Sequence, residues 1–127
     1  MSVLTGMEPK SVFTFFEEIC QIPHGSGNVD QISDYLQEFA RKRKLFCIQD
    51  ELKNIIIIKE ASAGYEEEKP YILQAHMDMV AVKEPGCDVD MTREGLRLKT
   101  ADGRIYAEGT SLGGDDGIGV AYCLALL

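Results

Sequence analysis

Apolar residues recur at three-and-four spacing twice in the first third of the chain. Val12, Phe13, Phe16, Ile19 and Cys20 predict a helix over about Pro9 to Ile22, with Pro9 at an early helical position and Pro23 ending it. Val29, Ile32, Leu36, Phe39 and Arg43 share a second stripe, which predicts a helix capped by Asn28. Its basic last turn, Arg41-Lys42-Arg43-Lys44, suits a helix C-terminus and reads as a solvated end rather than a binding patch. Between the two helices lies the loop His24-Gly25-Ser26-Gly27, whose histidine reads as structural or exposed and is assigned no role.

The period then shortens. Leu45 to Asp50 and Asn54 to Lys59 read as strands, and the unbroken run Ile55 to Ile58 predicts burial on both faces, as in the middle of an α/β sheet. Ala61 to Lys69 is a polar surface connection, and Tyr71 to His76 (YILQAH) reads as a third strand. Leu96 to Thr100 and Arg104 to Ala107 flank Asp102-Gly103, a hairpin signal. A glycine-rich loop, TSLGGDDG, leads into a helix starting near Ile118 that is apolar almost all round and therefore predicted to be buried. That helix reaches Leu127 without a cap, so its partner elements are expected outside these residues. The fold class is α/β, a mixed β-sheet flanked by helices, read as the N-terminal piece of a larger protein.

Composition narrows the function. The chain has 127 residues, with 13 basic against 21 acidic side chains and a net charge of −8, so it lacks the electrostatic footprint of a nucleic-acid binder. Its apolar runs fall short of the roughly 20 residues a membrane-spanning helix needs, and MSVLTGMEPK does not have the form of a secretory signal. Cys20, Cys47, Cys87 and Cys123 are scattered, which argues against a zinc finger or a disulfide scaffold and for reduced thiols in a cytoplasmic protein.

Two clusters could carry chemistry. His76 and Asp78 lie at the carboxyl end of the apolar segment, where ligands collect in open α/β sheets, and residues two apart in extended chain share a face. A metal-binding imidazole usually gives its other N–H to a carboxylate or carbonyl, which Asp78 could supply. Met77 and Met79, alternating with them, are expected in the core. The second cluster is Gly113-Gly114-Asp115-Asp116-Gly117. Its adjacent acids would repel a phosphate, and the spacing fits neither the P-loop, the dinucleotide fingerprint nor the calcium loop. Helix capping and metal binding both remain open for it.

Taken together, these blocks resemble the N-terminal part of the di-zinc metallopeptidases that include carnosinases, tripeptidases and aminoacylases. Within them the chain is most similar to the aminoacyl-histidine dipeptidases of the peptidase D type. The similarity runs almost end to end, through FEEICQIPHGSG, KNIIIIKEASAG, LQAHMDMV and GTSLGGDDGIGVAYCLALL. The resemblance implies that His76 ligates one zinc, that Asp115 bridges two, and that Asp78 completes the catalytic set by holding the His76 imidazole. It also implies a cis peptide bond after Asp115. Gly114 and Asp116 stand where those dipeptidases usually carry Ala and Asn.

The family's general base is a Glu in a Glu-Glu pair beyond the bridging Asp, and no such pair follows Asp115 here. Residues 1–127 are therefore expected to form a partial catalytic domain, inactive alone, with the other ligands and any lid or dimerisation domain elsewhere. The parent is expected to be a cytoplasmic, homodimeric dipeptidase of Xaa-His substrates using zinc, or manganese or cobalt in its place, with neither nucleic acid nor membrane as partner. The alternatives are a tripeptidase or N-acyl amino-acid amidohydrolase of the same clan, and a non-catalytic α/β module in which Asp115 and Asp116 cap a helix.

Overall fold

The structure, a computed structural model, describes residues 2–127. In chain order it comprises α1 (Lys10–Cys20), α2 (Asp30–Lys42), β1 (Phe46–Gln49), β2 (Ile55–Ile58), β3 (Leu98–Ala101), β4 (Arg104–Ala107) and α3 (Gly114–Leu126). Both amphipathic helices form where the apolar spacing puts them. Helix α1 buries Val12, Phe16, Ile19 and Cys20, and α2 buries Ile32, Ser33, Leu36, Phe39 and Ala40. Asn28 does not cap α2. No side chain does, and the Asn28 amide instead donates to the Thr92 carbonyl at 3.2 Å. The basic turn is solvated at Arg41, which pairs with Glu38 at 2.6 Å, while Arg43 lies over the Phe39 ring at 3.7 Å from its centroid.

The chain is α/β as expected, with its strands in two small sheets rather than one. Strand β1 pairs antiparallel with β2, and β3 pairs antiparallel with β4, as two separate two-stranded sheets. The β3–β4 turn is the predicted one, with Asp102 at φ +51° and Gly103 at φ +71°. The β1–β2 turn rests on Asp50, whose carboxylate accepts from the backbone N–H of Leu52 and Asn54. Helix α2 covers one face of this hairpin. Within residues 2–127 one face of the isoleucine run is covered, and Ile56 and Ile58 on the other are 56% and 44% exposed. Tyr71 to His76 forms no ladder and is extended chain, with Tyr71 and Ile72 more than nine-tenths exposed.

The principal core is the seam between α1 and α3. Phe16, Ile19, Val120, Ala121 and Leu124 are all nearly inaccessible there. Gly117 lies against Phe16, where a Cβ would come within 3.3 Å of the ring. Among the described residues α3 is covered on the side that faces α1, while Tyr122 and Leu126 are 49% and 63% exposed. Its first turn is irregular: Asp115 and Asp116 have non-helical backbone angles, so regular helix begins close to the expected Ile118. No helix among the described residues is long and apolar enough to cross a membrane.

Candidate metal site

The extended segment through His76 and Asp78 is held from both flanks. On one side, Met79 N–H donates to the His24 carbonyl at 3.0 Å, and Ser26 N–H donates to the Met79 carbonyl at 2.9 Å. On the other, Ser111 N–H donates to the Val82 carbonyl, and the Ser111 hydroxyl donates to the Val80 carbonyl at 2.7 Å. Ser111 leads directly to Gly113, whose φ of +71° favours glycine. A Cβ at Gly113 would also lie 2.8 Å from the Met79 sulfur. The buried Met79 side chain is thus the contact across which the Asp115 turn approaches His76. Met79 is in the core as expected, and Met77 packs at its edge.

These contacts bring the two sequence clusters together. His76 Nε2 lies 3.1 Å from Asp115 Oδ1, across 39 residues of chain. On the other ring nitrogen, Nδ1 is 3.0 Å from the Asp78 carbonyl oxygen and 3.2 Å from Asp78 Oδ1. Both neighbours of Nδ1 are acceptors, so that nitrogen carries the proton and donates. In the neutral ring the Nε2 lone pair then faces the Asp115 carboxylate. Two electron-rich atoms at that distance need a positive charge between them, either a proton on Nε2 or a cation. The hydrogen bond to Asp115, with that to the Asp78 carbonyl, holds His76 above its ordinary pKa range. The Asp78 carboxyl is held below its own, first by the Ser26 hydroxyl and also by the charge of His76.

The donor set fits a divalent metal. Two ligands of one tetrahedral zinc, each bound at about 2.0–2.2 Å, lie roughly 3.3 Å apart, close to the His76–Asp115 separation. The carboxylate is open to incoming ligands, with the Asp115 side chain 96% exposed and that of His76 54% exposed. An open groove of about 410 Å³, bordered by Gly27, Asn54, Ile55, Gln74 and Asp78, runs past the imidazole. Among the described residues there is no cluster of three or more His, Cys, Asp and Glu, so this pair is an incomplete ligand set.

The bond between Asp115 and Asp116 is cis, as the resemblance implies. Gly113, which opens α3, has no side-chain cap; past the irregular turn the Asp116 carboxylate lies over Gly119, three residues on, in the place of a capping acid, while Asp115 faces His76. His24 is structural, 3% exposed, with Nδ1 2.6 Å from the Ile22 carbonyl oxygen. Burial pushes the Cys20 thiol up to about 12, which removes it as a nucleophile, and all four thiols are free. Sequence reasoning missed Ser26, whose hydroxyl donates to Asp78 Oδ2 at 2.5 Å.

No family model matches the chain. The chain is 38% identical over 127 residues to the cytosol non-specific dipeptidase of Escherichia coli (strain K12), covering 100% of this chain and 26% of that protein. Its structure superposes on the crystal structure of aminoacylhistidine dipeptidase from Vibrio alginolyticus with a TM-score of 0.93 and 35% sequence identity, over 99% of this chain and 26% of that one. The chain therefore spans about a quarter of the length of these relatives. Both are dipeptidases by name, in agreement with the resemblance to peptidase D-type enzymes carried by the sequence blocks.

Proposed function

We propose that these residues are the portion of a zinc-dependent dipeptidase that carries its first metal ligands. The observation that supports this most directly is the approach of Asp115 to an imidazole whose other nitrogen is already engaged by Asp78. His76 would supply Nε2 to one ion, Asp115 would place a carboxylate oxygen on each of two, and Asp78 would hold the ring in the tautomer that leaves Nε2 free. When bound, zinc supplies water whose pKa falls from 15.7 to about 7, and a pair of ions clamps the attacking and leaving oxygens. A catalytic zinc takes about three protein ligands, so the remaining ligands and the general base would come from outside residues 1–127.

The substrate class proposed is a dipeptide of the Xaa-His type, with the enzyme acting in the cytoplasm as a homodimer. Dipeptidase names for both relatives favour a dipeptide substrate over that of a tripeptidase or an N-acyl amino-acid amidohydrolase, and the Vibrio alginolyticus name supports the Xaa-His type. The test is hydrolysis of Xaa-His dipeptides by the full-length protein after chelation and after zinc is restored. Chelation should abolish turnover and zinc should restore it. His76→Ala should lower kcat/KM by at least about a thousandfold, equivalent to about 4 kcal/mol. Unchanged kcat/KM and zinc content in that variant would refute the proposal, as would metal-dependent turnover by residues 1–127 alone.

A further inference from the structure

The loop PHGSG, to which the sequence assigns no role, is clamped onto the segment that presents His76. The peptide between Asp78 and Met79 is held at both ends. Its carbonyl oxygen accepts from His76 Nδ1 at 3.0 Å, and its N–H donates to the His24 carbonyl at 3.0 Å. The Asp78 side chain is held likewise, with Oδ1 3.2 Å from His76 Nδ1 and Oδ2 accepting from the Ser26 hydroxyl at 2.5 Å. Both acceptors of the Nδ1 proton are therefore anchored by this one loop. Its backbone is shaped for the contact: Gly25 bridges to Met79, a Cβ there would lie 3.0 Å from that of Ala81, and Gly27 has φ +81°. An Asp78 carboxylate, 39% exposed on its side chain, is otherwise free to turn into solvent and leave the ring.

We infer that Ser26 is a positioning residue for the metal site: its hydroxyl fixes the Asp78 carboxylate, which in turn fixes the tautomer and direction of the His76 imidazole. This rests on the metal reading proposed above for its consequence, though not for its geometry. Ser26 touches neither the proposed metal nor the substrate, so its effect runs through Asp78. Groups that orient a metal-bound histidine typically cost 10–100-fold in metal affinity when removed, and Ser26, one bond further out, should cost about tenfold.

The test is made in the full-length protein with Ser26→Ala, Ser26→Thr and His76→Ala. Zinc affinity is read by competition with a chelator, and the His76 ring by the exchange rate of its Nδ1 proton in nitrogen-15 spectra of the metal-free protein. In the parent, where Asp115 faces a proton on Nε2, the Nδ1 proton should be protected by its two Asp78 acceptors. Ser26→Ala should raise the zinc dissociation constant about tenfold and speed exchange of that proton, with little change in melting temperature. Ser26→Thr, which keeps the hydroxyl, should restore both. An unchanged exchange rate in Ser26→Ala overturns the inference. So does an unchanged zinc dissociation constant, provided His76→Ala has lost zinc. If His76→Ala keeps the parent's affinity, the metal proposal falls, and the exchange rate alone decides the role of Ser26.

Discussion

The seam between α1 and α3 and the rim that carries His76 and Asp115 meet within one helix, yet different forces hold them. In the seam, Phe16, Val120 and Ala121 are 3%, 6% and 0% exposed, and apolar burial supplies the stability. At the rim, a side chain that is 96% exposed is aimed by glycine geometry, by Met79 packing and by hydrogen bonds from two loops. Little apolar surface is buried there. The seam can thus persist without the rim's chemistry, whereas the rim depends on the seam to hold Asp115 near His76.

Substitutions can break or sharpen that contrast. Phe16→Ala removes a buried ring at the seam and should cost about 3–5 kcal/mol in chemical denaturation, taking the site with it. Gly113→Ala acts where the regions join. Its methyl would meet the Met79 sulfur in a left-handed backbone, at a cost of about 1–3 kcal/mol, and zinc affinity should fall as the Asp115 turn moves away from His76. Asp115→Ala should be the converse of Phe16→Ala, with stability within about 0.5 kcal/mol of the parent and zinc binding lost. A large loss of stability in Asp115→Ala would mean that the rim is structural after all.

The smallest effect concerns pH. Burial holds His24 below the ordinary histidine range, so the unfolded chain binds its proton more readily than the folded one. Stability should therefore decline as pH falls from the unfolded value near 6.5 towards the lower folded value, and level off below it. His76, raised rather than lowered, works in the opposite sense: its contribution is present at low pH and is lost as pH rises through its folded value. Denaturation of the parent and of His24→Gln at pH 8, 6.5 and 5 isolates the His24 share, and equal pH slopes would contradict it.

Much of the seam was legible in the sequence because helix periodicity is local. The stripes Val12–Phe16–Ile19 and Ile32–Leu36–Phe39 announce which faces are buried before any partner is known. Asp102-Gly103 was legible for the same reason, as its turn is set by two residues. Tyr71 to His76 was not, because strand composition states a preference while a ladder needs a partner, and these residues have none among those described. For the isoleucine run, composition reports apolarity, while the number of covered faces depends on which elements pack on the hairpin, chiefly α2 among the described residues. Asn28 is a good cap by residue type, yet its amide is used by Thr92, a distant neighbour that local rules do not see. At the rim, His76, Asp78 and Asp115 stood out by residue type and by resemblance. Ser26 did not, since a serine in a glycine loop is ordinary until folding carries it across 52 residues to Asp78.

Zinc-edge anomalous diffraction from crystals of the full-length protein tests the convergence of His76 and Asp115 on one cation most directly. The expected result is an anomalous peak within about 2.0–2.2 Å of both His76 Nε2 and an Asp115 carboxylate oxygen, with His76 Nδ1 still directed at Asp78. A protein that binds zinc only at other residues, leaving the gap between His76 and Asp115 without anomalous density, would contradict it.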